Sequence, residues 1–99
     1  MAASDVDMTS LRIRVSGRVQ GVGYRDWAVI EATKLGLLGW VRNRANGTVE
    51  LLASGPTKTV EIFVGLCIKG PGGLTRVADF ELHRAEPPSE PGFKKLTTL

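Results

Sequence analysis

The residues of greatest chemical interest lie in one glycine-rich segment, Ser16–Arg25. Glycine reaches backbone conformations closed to other residues, so such a segment can turn several backbone N–H groups toward one point. Residues 26–35 contain no Gly or Pro and predict a helix, whose first N–H groups lack helical partners and form the positive end of its dipole. Arg25 adds a planar, permanently charged guanidinium. The segment is therefore predicted to be a cradle for an anion, with phosphate the best fit.

This predicted cradle does not match the two best-known phosphate-binding motifs. It has no Gly-Lys-Ser/Thr ending, so it offers no hydroxyl for Mg²⁺ as a P-loop does. The run from Gly21 to Asp26 also lacks the third glycine of the dinucleotide-binding fingerprint. A glycine-rich connection between a strand and a helix is often only a turn. On spacing alone, an anion site and a plain turn both remain open.

Three further side chains are candidates for chemistry. Asn43 ends a predicted strand just before a turn, where it can lie near the cradle or bond its own backbone. His83, the only histidine, alternates with charged residues and is predicted to face solvent, whereas Cys67 lies among apolar residues and is predicted to be a buried core thiol. No catalytic triad and no metal-ligand spacing is recognisable. An enzyme built from these residues would act by positioning and electrostatics.

Composition limits the class of protein. The 99 residues are 42% hydrophobic and 23% charged, which is typical of one globular domain. The net charge of +3 favours anionic ligands but is too small to require nucleic acid. With a single cysteine, no internal disulfide can form, which fits a reducing compartment. Residues 1–10 have no apolar run and are predicted to be a disordered tail before a domain over 11–99, in a cytoplasmic protein without a membrane segment.

Alternation of apolar and polar residues, together with glycine and proline, predicts seven elements. They are a strand over 11–17, a helix over 24–35, strands over 39–43 and 48–53, a helix over 57–69, a strand over 77–84 and a short final strand over 93–96. In the second helix Val60, Phe63, Val64 and Cys67 form an apolar stripe. Asn46-Gly47 predicts a type I′ hairpin turn, and Gly55-Pro56 is predicted to end the third strand.

The order of the first six elements, β-α-β-β-α-β, predicts the architecture. Two split βαβ units with right-handed crossovers give a four-stranded antiparallel sheet with both helices on one face. The predicted fold class is therefore α+β, a ferredoxin-like sandwich.

Residues 17–25, 32–43 and 46–50 together resemble the acylphosphatase family, in one continuous order across about residues 11–85. The resemblance implies hydrolysis of the mixed anhydride of a carboxylate and phosphate, without a metal or other cofactor. It assigns catalytic roles to Arg25 and Asn43. It also implies that the backbone N–H groups of the loop hold the phosphoryl oxygens, with Gln20, Gly21, Val22, Gly23, Tyr24 and Arg25 as the phosphate-binding residues.

The sequence departs from the family pattern at three points, and other functions remain open. Tyr24 stands where Phe is commoner, Asn46 where Asp is frequent, and residues 93–96 are a weak form of the final strand, whose pairing stays open. The alternatives are a carbamoyl-phosphate-handling module, a ferredoxin-like binding module and a catalytically silent relative. RNA-binding sheets need stacking aromatics on their central strands, which residues 11–15 lack. We expect a monomer acting on a small acyl phosphate, with no nucleic-acid or membrane partner.

Overall fold

A computed structural model describes residues 7–99 as seven elements. They are the strands and helices β1 (Met8–Arg18), α1 (Tyr24–Lys34), β2 (Leu38–Asn43), β3 (Val49–Pro56), α2 (Thr57–Lys69), β4 (Arg76–Arg84) and β5 (Phe93–Lys95). The predicted β-α-β-β-α-β order is confirmed, with the short β5 added at its end. The chain is an α+β protein of the predicted ferredoxin-like class.

The sheet has five strands in the order β4-β1-β3-β2-β5. The prediction of four strands, all antiparallel, is wrong in this respect because β5 pairs with β2 in parallel, with Val41 opposite Lys95. The remaining pairs are antiparallel. Because β4 and β5 lie on opposite edges, residues 85–92 must take the chain from one edge of the sheet to the other. This crossing takes place at the end of the sheet where β4 ends and β2 begins, so β5 starts there and runs in the same direction as β2.

The first strand begins earlier, and the third ends later, than the sequence predicts. Residues 8–10, assigned by the sequence to a disordered tail, belong to β1, while residues 1–6 of that tail lie outside the described residues. Gly55 and Pro56 do not end β3 early, because they pair with Thr9 and Met8. Pro56 is the last residue of the strand, where its missing N–H interrupts no further pairing.

The core lies between the helices and one face of the sheet. The strand residues of the core cluster alternate along β1, β2 and β3, and include Ile13, Val15, Val41, Val49 and Leu51. The predicted stripe of α2 is confirmed, since all four of its members are buried. Helix α1 contributes Tyr24, Ala28 and Ala32. Phe93 anchors β5 to α2 because its ring packs against Phe63 at a centroid distance of 5.6 Å.

The β2–β3 hairpin next to Asn43 has a different turn from the one predicted. Asn46 is not in the positive-φ region, so the type I′ turn is wrong. Arg44 N donates to Thr48 O at 2.8 Å, and this bond encloses a loop of three residues, 45–47. Gly47, the last of them, has φ +92°. The Asn46 side chain stabilises this turn because its Oδ1 accepts from the N–H and the hydroxyl of Thr48. The two strands are therefore closed by a bonded loop next to the candidate site.

Both helices end close to the glycines that the sequence places after them, Gly36 and Gly70. Gly36 has φ +71° and donates to Thr33 O, while Leu37 donates to Ala32 O, a pair of bonds that satisfies the last carbonyls of α1. Helix α2 ends at Lys69, before Gly70 and Pro71. Among residues 7–99, neither helix has the length and apolar character needed to span a membrane.

Candidate active site

The predicted cradle forms the connection between β1 and α1. Gly21 and Gly23 have φ +73° and +82°, a region that side chains disfavour, and Gly23 is the residue immediately before the helix. Its carbonyl accepts the first helical bond, from Trp27 N at 3.1 Å. No side chain caps α1. The N–H groups of its first turn, which have no helical partner, are therefore available to an external acceptor.

A cavity of about 120 Å³ lies against this helix start. It is lined by the cradle, the end of β2 and the end of β5, namely by Val19, Gly21, Gly23, Tyr24, Arg25, Asp26, Asn43 and Lys95. Five of the residues predicted for the site line the cavity, and they bring the cradle and Asn43 together. The other two predicted residues, Gln20 and Val22, are not among the lining residues.

Arg25 lies in the first turn of α1, on the wall of this cavity. One of its terminal nitrogens, Nη1, is 3.4 Å from the carbonyl oxygen of Leu96, just after β5. A guanidinium has five N–H donors, so this contact can orient the group and still leave donors for a ligand. The cavity therefore contains a cation with donors arranged to suit an oxyanion.

Asn43 brings an amide to the same cavity from the end of β2. Its Oδ1 is buried and has no hydrogen-bond partner among the described residues. A buried acceptor without a partner is uncommon and calls for a reason, such as a bound water or ligand. Its backbone, by contrast, is paired, since Asn43 O accepts from Leu99 N at 3.1 Å. The backbone of Asn43 is thus held in place, and its buried side-chain oxygen can still accept a hydrogen bond.

Gln20 links the cradle to the hairpin that holds Asn43. Its Nε2 donates to the carbonyl oxygens of Arg44 and Thr48, both at 2.8 Å. These two residues are also the ones that close the hairpin turn. The side chain of Gln20 therefore fixes the distance between the loop and the strand end, although it does not line the cavity.

Three residues of the cavity wall were not predicted: Val19 and the charged pair Asp26 and Lys95. Lys95 Nζ donates to Asp26 Oδ1 at 2.7 Å. This hydrogen bond, together with the charges of Lys95 and Arg25, holds the pKa of Asp26 below its usual value. Alternation along the predicted last strand puts Lys95 on the same face as Phe93. Nothing local in the sequence indicates that this face meets α1.

Tyr24 lines the cavity and also forms a hydrogen bond with α2. Its hydroxyl donates to Cys67 O at 2.7 Å. That carbonyl has no helical donor, because the residue four positions later is Pro71, which has no N–H. Tyr24 OH therefore satisfies the end of α2, and burial, with smaller contributions from Cys67, raises the pKa of the phenol. Burial also raises the pKa of the Cys67 thiol to about 12, so both groups stay neutral.

The histidine lies elsewhere. His83 is on β4, with 51% of its side chain exposed and Nε2 3.3 Å from Glu81, in agreement with its predicted solvent-facing position. Within residues 7–99, no three His, Cys, Asp or Glu side chains are grouped closely enough to hold a metal ion. The cavity thus offers uncapped amides, a guanidinium, a buried amide oxygen, and an ammonium paired with a carboxylate. Such a set can bind a tetrahedral oxyanion and hold a water beside it.

Comparison with known proteins identifies close relatives. A family model described as Acylphosphatase matches residues 11–95. A protein named Acylphosphatase from Acidiphilium cryptum is 50% identical over 91 residues, which span 92% of this chain and 99% of the relative. One of the same name from Rhodospirillum rubrum is 48% identical over 93% of this chain and 100% of the relative. The crystal structure of acylphosphatase from Bacillus subtilis is 36% identical and superimposes with a TM-score of 0.81 over 91% of this chain and 99% of that one.

Proposed function

The chain belongs to the acylphosphatase family and is an enzyme that hydrolyses acyl phosphates, and from this premise we propose that the cavity beside α1 is its active site. The observation that carries the proposal is that Arg25 and Asn43, 18 positions apart in the sequence, line the same cavity as the uncapped cradle. Five of the lining residues are also those that the family resemblance indicates.

The phosphoryl group is held by the backbone N–H groups of the cradle and by Arg25. Water attacks phosphorus in line with the departing carboxyl oxygen. The P–O bond to that oxygen breaks, and its electron pair leaves with the carboxylate, so the products are a carboxylate and inorganic phosphate. A carboxylate is a good leaving group and needs little acid catalysis. The protein contributes position and charge stabilisation, since the phosphoryl oxygens redistribute charge in the transition state.

Asn43 holds the attacking water. Its unpartnered Oδ1 supports this role because a carbonyl oxygen accepts a hydrogen bond from water and so directs the water lone pair toward phosphorus. The proton of the water passes to a phosphate oxygen of the substrate. The carboxylate on the cavity wall, Asp26, has a lowered pKa and is bonded to Lys95, which makes it a weak base. Positioning by Asn43 therefore replaces general-base catalysis.

The positive charge needed at the phosphoryl group comes from the chain itself. Arg25 and the positive end of α1 both lie at the cavity. We therefore expect the reaction to need neither a metal nor a cofactor. Dialysis against a chelator, followed by the hydrolysis assay, tests this: activity that is lost and then restored by one divalent cation would contradict it.

The decisive experiment compares Arg25→Ala and Asn43→Ala with the unchanged protein in the hydrolysis of benzoyl phosphate. Each substitution is expected to lower kcat/KM by at least ~10²–10³-fold, as does the loss of an oxyanion donor. Asn46→Ala is the matched control, because it removes an asparagine from the same hairpin outside the cavity. Circular dichroism verifies folding. Equal rates in all four proteins would contradict the assignment.

We also propose that the enzyme works as a monomer in the cytoplasm. All the groups assigned to catalysis come from one chain, so a second copy is not needed to complete the site. Its one cysteine is unpaired and buried, in keeping with a reducing compartment. Light scattering during gel filtration tests the first statement. A dimer as the active species would contradict it.

A further inference from the structure

One ion pair sits directly on the wall of the proposed phosphate site. Lys95 and Asp26 are 69 positions apart in the sequence, yet their side chains meet at 2.7 Å and both line the cavity that contains Arg25. Lys95 reaches this position because β5 runs parallel to β2 and turns alternate side chains, Phe93 and Lys95, toward the helices. β5, the strand with the weakest sequence signal, therefore places the ammonium of Lys95 at the start of α1.

The carboxylate of this pair is out of place in an anion site. Asp26 lies in the first turn of α1, one residue after Arg25, where a bound phosphate dianion would be close to it. Like charges at such distances repel, and the repulsion is only partly screened by water. Lys95 neutralises Asp26 in the empty site. A bound phosphate offers the ammonium a stronger partner, because it has more negative charge than a carboxylate and more acceptor oxygens.

We propose that Lys95 is a second cationic ligand of the phosphoryl group, with Asp26 competing for the same ammonium, so that the pair sets how tightly inorganic phosphate is held. The inference rests on the proposed function and deepens it. When phosphate binds, Lys95 Nζ moves from Asp26 toward a phosphate oxygen. When phosphate leaves, Asp26 takes the ammonium back. Asp26 thus favours release of the product, and Lys95 favours capture of the substrate.

The neighbouring residue provides a matched control. Lys94 lies on the same strand and pairs with Glu90 at 3.1 Å, and the exposed fractions of that pair are 50% and 71%. The Lys95–Asp26 pair is exposed to nearly the same extent, 46% and 70%. Lys94, however, is not among the residues that line the site. Removal of either lysine lowers the net charge by the same amount, so a difference between them reports position rather than overall charge.

The test measures binding of inorganic phosphate by titration calorimetry in Lys95→Met, Asp26→Asn and Lys94→Met. We expect Lys95→Met to weaken binding about three- to tenfold, since a bare carboxylate then faces the ligand, and Asp26→Asn to tighten it by a similar factor, since Lys95 is released. Lys94→Met is expected to stay within about twofold of the unchanged protein because surface charges are well screened. For benzoyl phosphate, KM and the inhibition constant of phosphate follow the same order.

The opposite signs distinguish this proposal from a structural role. An ion pair that only braces β5 against α1 is lost equally in Lys95→Met and Asp26→Asn, so both would shift thermal stability and phosphate affinity in the same direction. That result would overturn the proposal, as would equal effects of Lys95→Met and Lys94→Met. Arg25→Ala, assayed alongside, separates the two proposals. If Arg25→Ala remains fully active the proposed function fails, whereas its inactivity with unchanged phosphate binding in Lys95→Met refutes only the role of Lys95.

Discussion

The two junctions at which a strand leads into a helix make an instructive pair. Both follow long, well-paired strands, β1 and β3, and both helices begin without a side-chain cap. Between β1 and α1 lie residues 19–23, which include two positive-φ glycines. Between β3 and α2 there is no connecting residue, since Pro56 ends the strand and Thr57 begins the helix. Only the first junction opens on the proposed phosphate site.

The second junction is closed by its own chain. Thr57 N donates to Asp7 O at 2.9 Å, and the hydroxyls of Thr57 and Thr9 bond at 2.6 Å. Residues 7–9 thus supply a carbonyl acceptor and a hydroxyl partner to the first residue of α2. At the first junction, by contrast, no side chain caps the start of α1, and Arg25 and Asn43 line the same cavity as the loop. The start of α1 is proposed as a binding site because a loop precedes it and because Arg25 and Lys95 line the same cavity.

The largest expected effect comes from exchanging the cation in the first turn of each helix. Arg25 and Lys58 both occupy the second position of their helices. Arg25→Lys is expected to lower kcat/KM for benzoyl phosphate at least ~10²-fold, because a point charge does not reproduce the two parallel N–H bonds of a guanidinium. Lys58→Met, which removes the cation at the same position of α2, should leave kcat/KM unchanged. Comparable losses in both variants would remove the distinction between the junctions.

A glycine substitution separates backbone strain from function. Gly23→Ala places a side chain at φ +82° where the cavity leaves room for it, so the cost is conformational, roughly 1–2 kcal/mol. Because relief of the strain would rotate the cradle amides, activity should fall about tenfold or more. Gly72→Ala, at φ +85° with equal room, is the control in the α2–β4 connection. It should destabilise to a similar extent, measured by urea unfolding, with full activity below the transition. Full activity in Gly23→Ala would show that the cradle amides are not used.

The bonds that tie each junction to the sheet give a smaller contrast. Gln20→Met leaves the carbonyls of Arg44 and Thr48 without that donor, and we expect kcat to fall about tenfold as Asn43 loses its fixed distance to the cradle. Thr9→Val removes the hydroxyl pair at Thr57 and should cost about 1 kcal/mol of stability with no change in kcat. Urea unfolding and steady-state kinetics measure the two quantities. A Gln20→Met enzyme with only its stability altered would contradict the positioning role.

The smallest effect is a pH dependence at the contact between the first junction and the end of α2. Folding raises the pKa values of Tyr24 and Cys67, so both groups ionise more readily in the unfolded chain. Their contribution to stability is therefore complete below about pH 8 and is lost as the pH rises beyond it, since an unfolded cysteine ionises at about pH 8.5 and an unfolded tyrosine at about pH 10. Tyr24→Phe should cost about 1 kcal/mol at pH 7 and make the alkaline decline less steep. Unfolding midpoints in urea between pH 7 and 11 measure this. Parallel curves for the two proteins would contradict it.

Local patterns were enough to predict most of the fold. The stripe of α2 depends on a 3.6-residue period, and the helix ends depend on glycine and proline, all of which act within a few residues. The β2–β3 pairing followed from two strands separated by a short Asn-Gly loop. The type of that turn did not, because the Asn46 side chain bonds to Thr48 and stabilises a three-residue loop that the dipeptide alone does not specify.

The candidate site was predicted only where its residues belong to a recognisable motif. Residue types placed Arg25 in the cradle and made Asn43 a candidate that could equally bond its own turn. The catalytic roles of both came from the resemblance to a family. Lys95 and Asp26 were missed because their contact depends on the parallel pairing of β5 with β2, which joins residues distant in the sequence and has no local sequence signal. The bond from Tyr24 to Cys67 likewise needs the packing of two helices.

Because β5 is short, we expect the enzyme to lose activity before the whole domain unfolds. Three residues pair with β2, yet this segment orients Arg25 through Leu96 and delivers Lys95. Cooperative units of a protein open separately, and a short terminal strand at a sheet edge belongs to the units that open most easily. Amide hydrogens of residues 94–96 should therefore exchange with solvent well before those of β1 and β3. In rising denaturant, activity will disappear while the rest of the sheet is still folded.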